Sequence, residues 1–144
     1  TMGFALPAAI GAKIGASHRE VVAVIGDGGY QMTIQELGTI FQTKTAVKIV
    51  VLNNDYLGMV RQWQQLFFDK RYASTEMVNP DFVKIAEGYS IKALRVTDRR
   101  DLDNSVKLLI ESKDAFFLEV CVEKEDNVFP MIPTGASVSD IRLK

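Results

Sequence analysis

Residues 20–29 read EVVAVIGDGG, an apolar, β-branched run that stops at three glycines around one aspartate. Such a run is typical of a strand that is buried on both faces of a parallel sheet. Three more runs of this kind occupy residues 47–52, 91–96 and 116–122. Together they predict four strands, the first over residues 20–25, in an α/β, three-layer fold with helices on both faces of a mostly parallel sheet.

Helices are predicted between these strands. Thr33 and Glu36 have the spacing of a capping box, in which the hydroxyl and the carboxylate satisfy free amides at a helix start. Asn79 before Pro80 predicts the N-cap and the first residue of a second helix. A third helix is predicted after Asp98, where apolar residues recur at helical spacing.

The length of 144 residues suits a single domain. We therefore expect residues 1–144 to form one domain, with residues 127–144 as an extended tail. The chain begins at Thr1 and enters a stretch of small residues at once, which we interpret as the start of a piece of a longer protein.

Charge and hydropathy exclude some classes of partner. The net charge is −1, and the lysines and arginines form no basic stripe of the kind that binds nucleic acid. No apolar run approaches the roughly 18 residues of a membrane span, so no membrane partner is expected. The single cysteine, Cys121, excludes an internal disulfide and favours a reducing compartment, so a cytoplasmic location is predicted.

Two of the predicted strands end in unusual polar residues. The first is followed by Gly26, Asp27, Gly28 and Gly29, and the second by Asn53, Asn54, Asp55 and Tyr56. Ligands bind at the carboxyl ends of parallel strands, where glycines let backbone amides approach an anion. Asp27 would repel a phosphate unless a cation lay between them, and carboxylate, amide and carbonyl oxygens are ligands that Mg²⁺ accepts. Each motif alone is ordinary turn chemistry, but together they predict a site for magnesium and phosphate.

The motif Gly26-Asp27-Gly28, followed after 24 residues by Asn53-Asn54, resembles the signature of thiamine-diphosphate enzymes. The resemblance implies that Mg²⁺ is bound by the side chains of Asp27 and Asn54 and by the backbone carbonyl of Tyr56. The metal would then hold the diphosphate, assisted by the amides of Gly28 and Gly29. Asn53 is interpreted as a support for the turn.

Five longer runs indicate which thiamine-diphosphate enzyme family the chain resembles. Residues 1–11 (TMGFALPAAIG), 31–37 (QMTIQEL), 57–64 (LGMVRQWQ), 67–72 (FFDKRY) and 129–137 (FPMIPTGAS) resemble the large, catalytic subunit of acetolactate synthase (acetohydroxyacid synthase), in its C-terminal thiamine-diphosphate-binding domain. The members of this family are transferases of branched-chain amino acid biosynthesis. Its implied reaction decarboxylates pyruvate and joins the remaining two carbons to pyruvate or 2-oxobutyrate, which gives 2-acetolactate or 2-aceto-2-hydroxybutyrate.

The resemblance also implies roles for apolar residues. Met32 matches a bulky residue beneath the bent cofactor. That residue would hold the amino group of the cofactor's aminopyrimidine against the reactive thiazolium carbon. Met59 and Trp63 match positions near the substrate, where Trp63 would favour 2-oxobutyrate through contact with one extra methylene. Without the family match, this pair at a spacing of four would indicate core packing. The implied cofactor-binding set is Met2, Gly26, Asp27, Gly28, Gly29, Met32, Asn54, Tyr56, Leu57, Gly58 and Met59.

The chain departs from the family at Gly29-Tyr30, where many members have a small hydroxyl residue or alanine and then phenylalanine. This removes one side-chain contact to the diphosphate and keeps the backbone amide. No glutamate here matches the one that activates the cofactor's pyrimidine, which in the family comes from the N-terminal domain of a second catalytic subunit. The resemblance therefore implies a homo-oligomer, FAD held largely elsewhere in the complete enzyme, room for a regulatory small subunit, and an isolated chain without activity.

Two alternatives stay open. Another thiamine-diphosphate enzyme, such as a 2-oxoacid decarboxylase or pyruvate oxidase, would share the metal motif, and only residues 59–64 and the tail favour acetolactate synthase over it. A non-catalytic nucleotide-binding module on a similar sheet is disfavoured, since the chain has neither a Gly-x-Gly-x-x-Gly motif nor a phosphate-binding lysine loop.

Overall fold

Four parallel strands form the centre of the chain in a computed structural model, which describes residues 1–143. Their order in the sheet is β1-β2-β4-β3, and every neighbouring pair is parallel. The predicted α/β fold is confirmed, and each predicted strand lies within two residues of its observed bounds. The strands are β1 (Val22–Gly26), β2 (Lys48–Asn53), β3 (Lys92–Val96) and β4 (Phe116–Cys121).

Within residues 1–143, six α-helices connect and flank these strands. They are α1 (Ala5–Gly15), α2 (Asp27–Gln31), α3 (Glu36–Thr43), α4 (Gly58–Phe67), α5 (Phe82–Gly88) and α6 (Leu102–Glu111). A 3₁₀ turn at Arg99–Asp101 precedes α6, and another lies at Val138–Asp140. None of the helices within residues 1–143 is long and apolar enough to cross a membrane.

The larger core lies on one face of the sheet, between β1, β2 and β4 and the helices α1, α2, α3 and α5. Tyr30 is at its centre, with its ring centroid 5.1 Å from that of Phe82 and 5.3 Å from that of Phe117. Its side chain is completely buried, and burial raises the pKa of the phenol. This packing fixes the short helix α2 against the sheet, and with it Asp27, the residue at which that helix begins.

The opposite face of the sheet carries a smaller core. Phe116 and Leu118 of β4 pack there with Val96 of β3 and Leu109 of α6. The alternation of the two cores along β4 is the period of two that a strand buried on both faces requires. At the edge of the sheet, Val24 of β1 is 60% exposed.

The predicted capping box is wrong. Helix α3 begins at Glu36, and Thr33 lies in the turn before it. The Glu36 amide donates to the Thr33 carbonyl at 3.0 Å, and the Glu36 carboxylate accepts from the Thr39 hydroxyl at 2.7 Å. Because the backbone already satisfies the amide that the Thr33 hydroxyl would have capped, the box has no function here.

The predicted N-cap at Asn79 is also wrong. Helix α5 begins at Phe82, and its N-cap is Asp81, which accepts from the Lys84 amide at 3.4 Å. The side chain of Asn79 turns instead toward the ends of β1 and β2. The helix predicted after Asp98 is confirmed, since Asp98 accepts from the Arg100 amide at the start of the turn that leads into α6.

The C-terminal segment runs back over α4. Gln62, which is buried, holds it with both ends of its amide: Oε1 accepts from the Val128 amide at 2.7 Å, and Nε2 donates to the Val128 carbonyl at 3.0 Å. An antiparallel bridge joins Met131 and Arg142. The last residue of the predicted tail, Lys144, lies outside the described residues.

Candidate functional site

The carboxyl ends of β1 and β2 meet at a cavity of about 660 Å³. The segment before α1 and the first residues of α4 complete its wall, together with residues that follow β4. Ten of the twelve predicted site residues line it: Met2, Gly26, Asp27, Gly28, Gly29, Asn54, Tyr56, Leu57, Gly58 and Met59.

Met32 and Trp63 do not line this cavity. Met32 follows α2 and is 55% exposed, and its Cβ lies beside Gly3 at the cavity wall. Trp63 lies on α4, with its ring centroid 5.1 Å from that of Phe67, and it lines a separate depression that also includes Val60. Both residues are therefore at the margin of the site, and the roles implied for them stay predictions.

Asp27 is the most buried acidic group at the cavity, with 2% of its surface exposed. Its Oδ1 accepts from the Gly28 amide at 2.9 Å, while Oδ2 accepts from the Asp55 amide at 2.9 Å and from Asn79 Nδ2 at 2.7 Å. Burial raises the pKa of Asp27, although these hydrogen bonds partly offset it. Within residues 1–143, no lysine or arginine forms an ion pair with this carboxylate. A buried carboxylate without a cationic partner is costly, so the position suits a bound cation.

The loop after β2 turns one of its backbone amides toward Asp27. Asp55 has φ +53°, in the left-handed region that aspartate tolerates better than most residues, and this turns its amide toward Asp27. Asn54 Oδ1 accepts from the Tyr56 amide at 3.2 Å, which closes a turn typical of asparagine. Asn53 Oδ1 accepts from the Asp55 amide at 3.1 Å, in keeping with the turn support predicted for it.

The donor set fits a hard divalent cation. Asp27, Asn54 and Tyr56 all line the cavity, and among their groups are a carboxylate, a side-chain amide oxygen and a backbone carbonyl. Across residues 1–143, histidine, cysteine and acidic side chains form no group of three that could hold a metal by themselves. A cation here would therefore need amide and carbonyl oxygens and the oxygens of a ligand, which is the usual environment of protein-bound Mg²⁺.

Gly28 lies where a side chain could be accommodated only by displacing its neighbours. A Cβ at this position would lie 2.7 Å from Leu57 Cδ2, 3.2 Å from Met77 Sδ and 3.3 Å from Met2 Cε. The glycine therefore lets the loop after β2 approach the start of α2 closely. Its amide, which the resemblance assigns to the diphosphate, donates here to Asp27 Oδ1.

A polar network that was not predicted from the sequence lies behind the cavity. Asn53 Nδ2 donates to Glu119 Oε1 at 2.7 Å, and Arg95 Nε donates to Glu119 Oε2 at 2.6 Å. This contact with Glu119 is the main reason that the pKa of Arg95 is raised. Glu119 is only 2% exposed, so its charge inside the apolar run of residues 116–122 was the signal in the sequence. Asn79 joins the same network through Asn53.

Comparisons with known proteins agree with this geometry. A family model described as "Thiamine pyrophosphate enzyme, C-terminal TPP binding domain" matches residues 1–120. The chain is 43% identical to the acetolactate synthase large subunit of Cyanidium caldarium over 98% of its length. It is 42% identical to the acetolactate synthase isozyme 2 large subunit of Escherichia coli over its whole length, and 46% identical to the mitochondrial acetolactate synthase of Schizosaccharomyces pombe over 99% of it. The chain spans 24%, 26% and 21% of these relatives, about a quarter of their length.

A solved structure has the same arrangement of elements. It is the thiamine diphosphate-dependent 4-hydroxybenzoylformate decarboxylase of Rhodococcus jostii, with a TM-score of 0.80 and 30% sequence identity. The match covers 87% of this chain and 24% of the decarboxylase.

Proposed function

Because this chain belongs to the family of C-terminal TPP-binding domains of thiamine pyrophosphate enzymes, we propose that it supplies the diphosphate- and magnesium-binding half of an acetolactate synthase active site. The proposed reaction decarboxylates pyruvate and transfers the remaining two carbons to pyruvate or 2-oxobutyrate. Identities of 42–46% to acetolactate synthases over nearly all of the chain support this choice over a decarboxylase, since the structurally similar decarboxylase is 30% identical.

The observation that carries the proposal is the meeting of the two strand-end motifs in one cavity. Asp27, Asn54 and the Tyr56 carbonyl would hold Mg²⁺, which would in turn hold the diphosphate. Thiamine diphosphate, when bound, supplies an electron sink for the loss of carbon dioxide and for the carbon–carbon bond that follows. The protein's contribution is to bind and orient the cofactor.

Apolar side chains around the cavity would hold the organic part of the cofactor and the substrate. Met2 and Met59 line the cavity and are about half exposed, and Met32 lies beside its wall. We propose that these methionines pack against the cofactor. Trp63 would contact the acceptor substrate and favour 2-oxobutyrate, with a discrimination of about 1–3 kcal/mol for one methylene.

The remaining parts of the proposal concern the complete enzyme. We propose that residues 1–144 are its C-terminal domain and that residues 127–144 are the tail of that domain. The N-terminal domain of a second catalytic subunit would complete the site, so the enzyme would be a homo-oligomer, with FAD bound largely outside this chain and a regulatory small subunit as a further partner. The single cysteine supports a cytoplasmic location.

The test uses the full-length enzyme with Mg²⁺, thiamine diphosphate and FAD, supplied with pyruvate and 2-oxobutyrate, and the products are identified by mass. We expect 2-acetolactate and 2-aceto-2-hydroxybutyrate. Trp63→Leu should lower the share of the second product, whereas Phe41→Leu, an exposed position on α3, should leave it unchanged. Acetaldehyde or acetyl phosphate as the main product would instead identify a decarboxylase or an oxidase.

A further inference from the structure

Asn79 is the side chain that ties the two strand-end motifs together. Its Nδ2 lies 2.7 Å from Asp27 Oδ2, 2.9 Å from Asn53 Oδ1 and 3.0 Å from Asp55 Oδ1. On its other side, Asn79 Oδ1 accepts from Gln31 Nε2 at 2.7 Å. One amide group therefore bridges the residues that follow β1 and β2 and the last residue of α2.

The chemistry of these neighbours fixes which way the Asn79 amide faces. Ionised carboxylates accept hydrogen bonds and cannot donate them, so the group that faces Asp27 and Asp55 must be the amide nitrogen. Gln31, donating from the opposite side, holds the amide in the same orientation. Because the nitrogen has two hydrogens for three acceptors, Asn79 is fully engaged and has no donor left for a ligand.

Asn53 is itself held in place from behind. Its Nδ2 donates to Glu119, which is buried and paired with Arg95. This leaves Asn53 Oδ1 facing Asn79 and the Asp55 amide. The position of Asn79 is therefore determined by a network that extends across β2, β4 and β3.

The two oxygens of Asp27 differ as a result. Oδ2 accepts two hydrogen bonds, from the Asp55 amide and from Asn79, and these use both of its lone pairs. Oδ1 accepts one hydrogen bond within residues 1–143, from the Gly28 amide, and keeps one lone pair. The carboxylate is thus held more firmly through Oδ2, and Oδ1 has the capacity for one more bond.

We propose that Asn79 is a positioning residue that engages Oδ2 of Asp27 and so directs Oδ1 to the divalent cation. The proposal rests on the function proposed above, since it concerns the same cation. Asn79 itself does not contact the cation. It acts through Asp27, in the way that hydrogen-bonding partners of metal ligands set their orientation.

The experiment measures Mn²⁺ binding to the full-length enzyme by electron paramagnetic resonance, with saturating thiamine diphosphate and without substrate. Asn79→Ala should raise the Kd for Mn²⁺ about 10- to 100-fold, the loss typical of such partners. Asn104→Ala, on the exposed side of α6, is the matched control and should leave the Kd unchanged. A Kd for Asn79→Ala within twofold of the unaltered enzyme would overturn the proposal.

Two further variants separate the explanations. If Asn79 acts through Asp27, the double variant Asp27→Ala with Asn79→Ala should have the same Kd as Asp27→Ala alone, whereas a general structural effect would multiply the two losses and count against the proposal. If Asp27→Ala leaves Mn²⁺ binding intact, the proposed function fails at its metal site. If Asp27→Ala weakens binding and Asn79→Ala does not, only the role of Asn79 fails.

Gln31→Leu provides a milder variant, which decides the matter if Asn79→Ala does not fold. It removes the donor that holds Asn79 Oδ1 and keeps a side chain of similar size. The Asn79 amide would then be held only through its nitrogen, which loosens its position, and we expect the Kd for Mn²⁺ to rise at least threefold. An unchanged Kd would contradict the proposal.

Discussion

Strand β2 begins at Lys48 and ends at Asn53. A buried charged group lies at each end of the sheet, and the two groups differ in how completely the chain bonds them. At the amino end, Lys48 is completely buried, and its Nζ donates to the carbonyls of Ser112 and Asp114, each at 2.6 Å. At the carboxyl end, Asp27 is almost as buried but faces a cavity with one oxygen incompletely bonded. A buried charge that the chain satisfies by itself has no bonding capacity left for a ligand, whereas one left with bonding capacity at a cavity is available to a ligand.

The largest expected effect is at the carboxyl end. Asp27→Ala removes a proposed metal ligand, so it should weaken binding of Mg²⁺ with thiamine diphosphate at least about 100-fold, or about 3 kcal/mol. In the full-length enzyme, the rise in melting temperature that saturating Mg²⁺ and thiamine diphosphate cause should disappear in this variant. Asp103→Ala, an exposed acidic position on α6, should keep that rise. A full thermal shift in Asp27→Ala would show that the carboxylate does not hold the metal.

At the amino end, a substitution should affect stability and leave ligand binding alone. Lys48→Met leaves the two carbonyls without their donor, and we expect a loss of about 2–3 kcal/mol in the free energy of unfolding. Urea unfolding of the chain, followed by the fluorescence of Trp63, measures it. Lys107→Met, at a lysine whose side chain is 68% exposed, is the control and should cost less than about 0.5 kcal/mol. Equal losses for the two variants would mean that burial of Lys48 contributes nothing.

The sheet could be predicted from the sequence because each strand is an apolar run of the right length, ended by glycine or polar residues. The helix starts were harder to predict. Thr33 and Asn79 both have the chemistry of a helix cap, but the backbone carbonyl of Thr33 already satisfies the amide in question, and Asn79 finds acceptors on residues that are distant along the chain. Propensity describes what a residue can do locally, and tertiary contacts decided against it in both places.

The cavity was predictable in part because the strands that precede its polar motifs could be predicted from the sequence. Asp27 and Asn54 follow neighbouring strands of a parallel sheet, so the topology alone brings them together. The positions of Met32 and Trp63 depend on how α2 and α4 end and on which side chains lie beside them, and no local pattern encodes that. Glu119 gave a signal, since a charge in a buried strand requires a partner, but the sequence could not indicate that the partners were Asn53 and Arg95.

A smaller effect is expected from crowding at the cavity. In Gly28→Ala the new methyl group would displace the end of Leu57, which lines the cavity, so we expect the Kd for thiamine diphosphate to rise about 10-fold and stability to fall by about 1 kcal/mol. Gly11→Ala is the matched control, because a Cβ there meets nothing within 4 Å. It lies within α1 and should stabilise the chain by about 0.5–1 kcal/mol. Opposite signs for the two variants would support the assigned role of Gly28, and an unchanged Kd for thiamine diphosphate in Gly28→Ala would contradict it.

The smallest expected effect is a change with pH at the amino end. Burial lowers the pKa of Lys48 below 10.5, although Glu20 and Asp114 partly oppose this and Lys13 adds to it. The folded chain therefore binds fewer protons than the unfolded chain between the lowered pKa and 10.5, so stability from this group rises with pH across that window. The penalty of burying the charged amine is fully present below the lowered pKa and is relieved above it.

Lys48→Met lacks this contribution. The difference in the free energy of unfolding between the unaltered chain and the variant should therefore widen between pH 7 and pH 10, as measured by urea unfolding at each pH. A gap that stays constant or narrows would mean that the amine is held in its charged form by the two carbonyls, and that the amino end tolerates its buried charge at no cost.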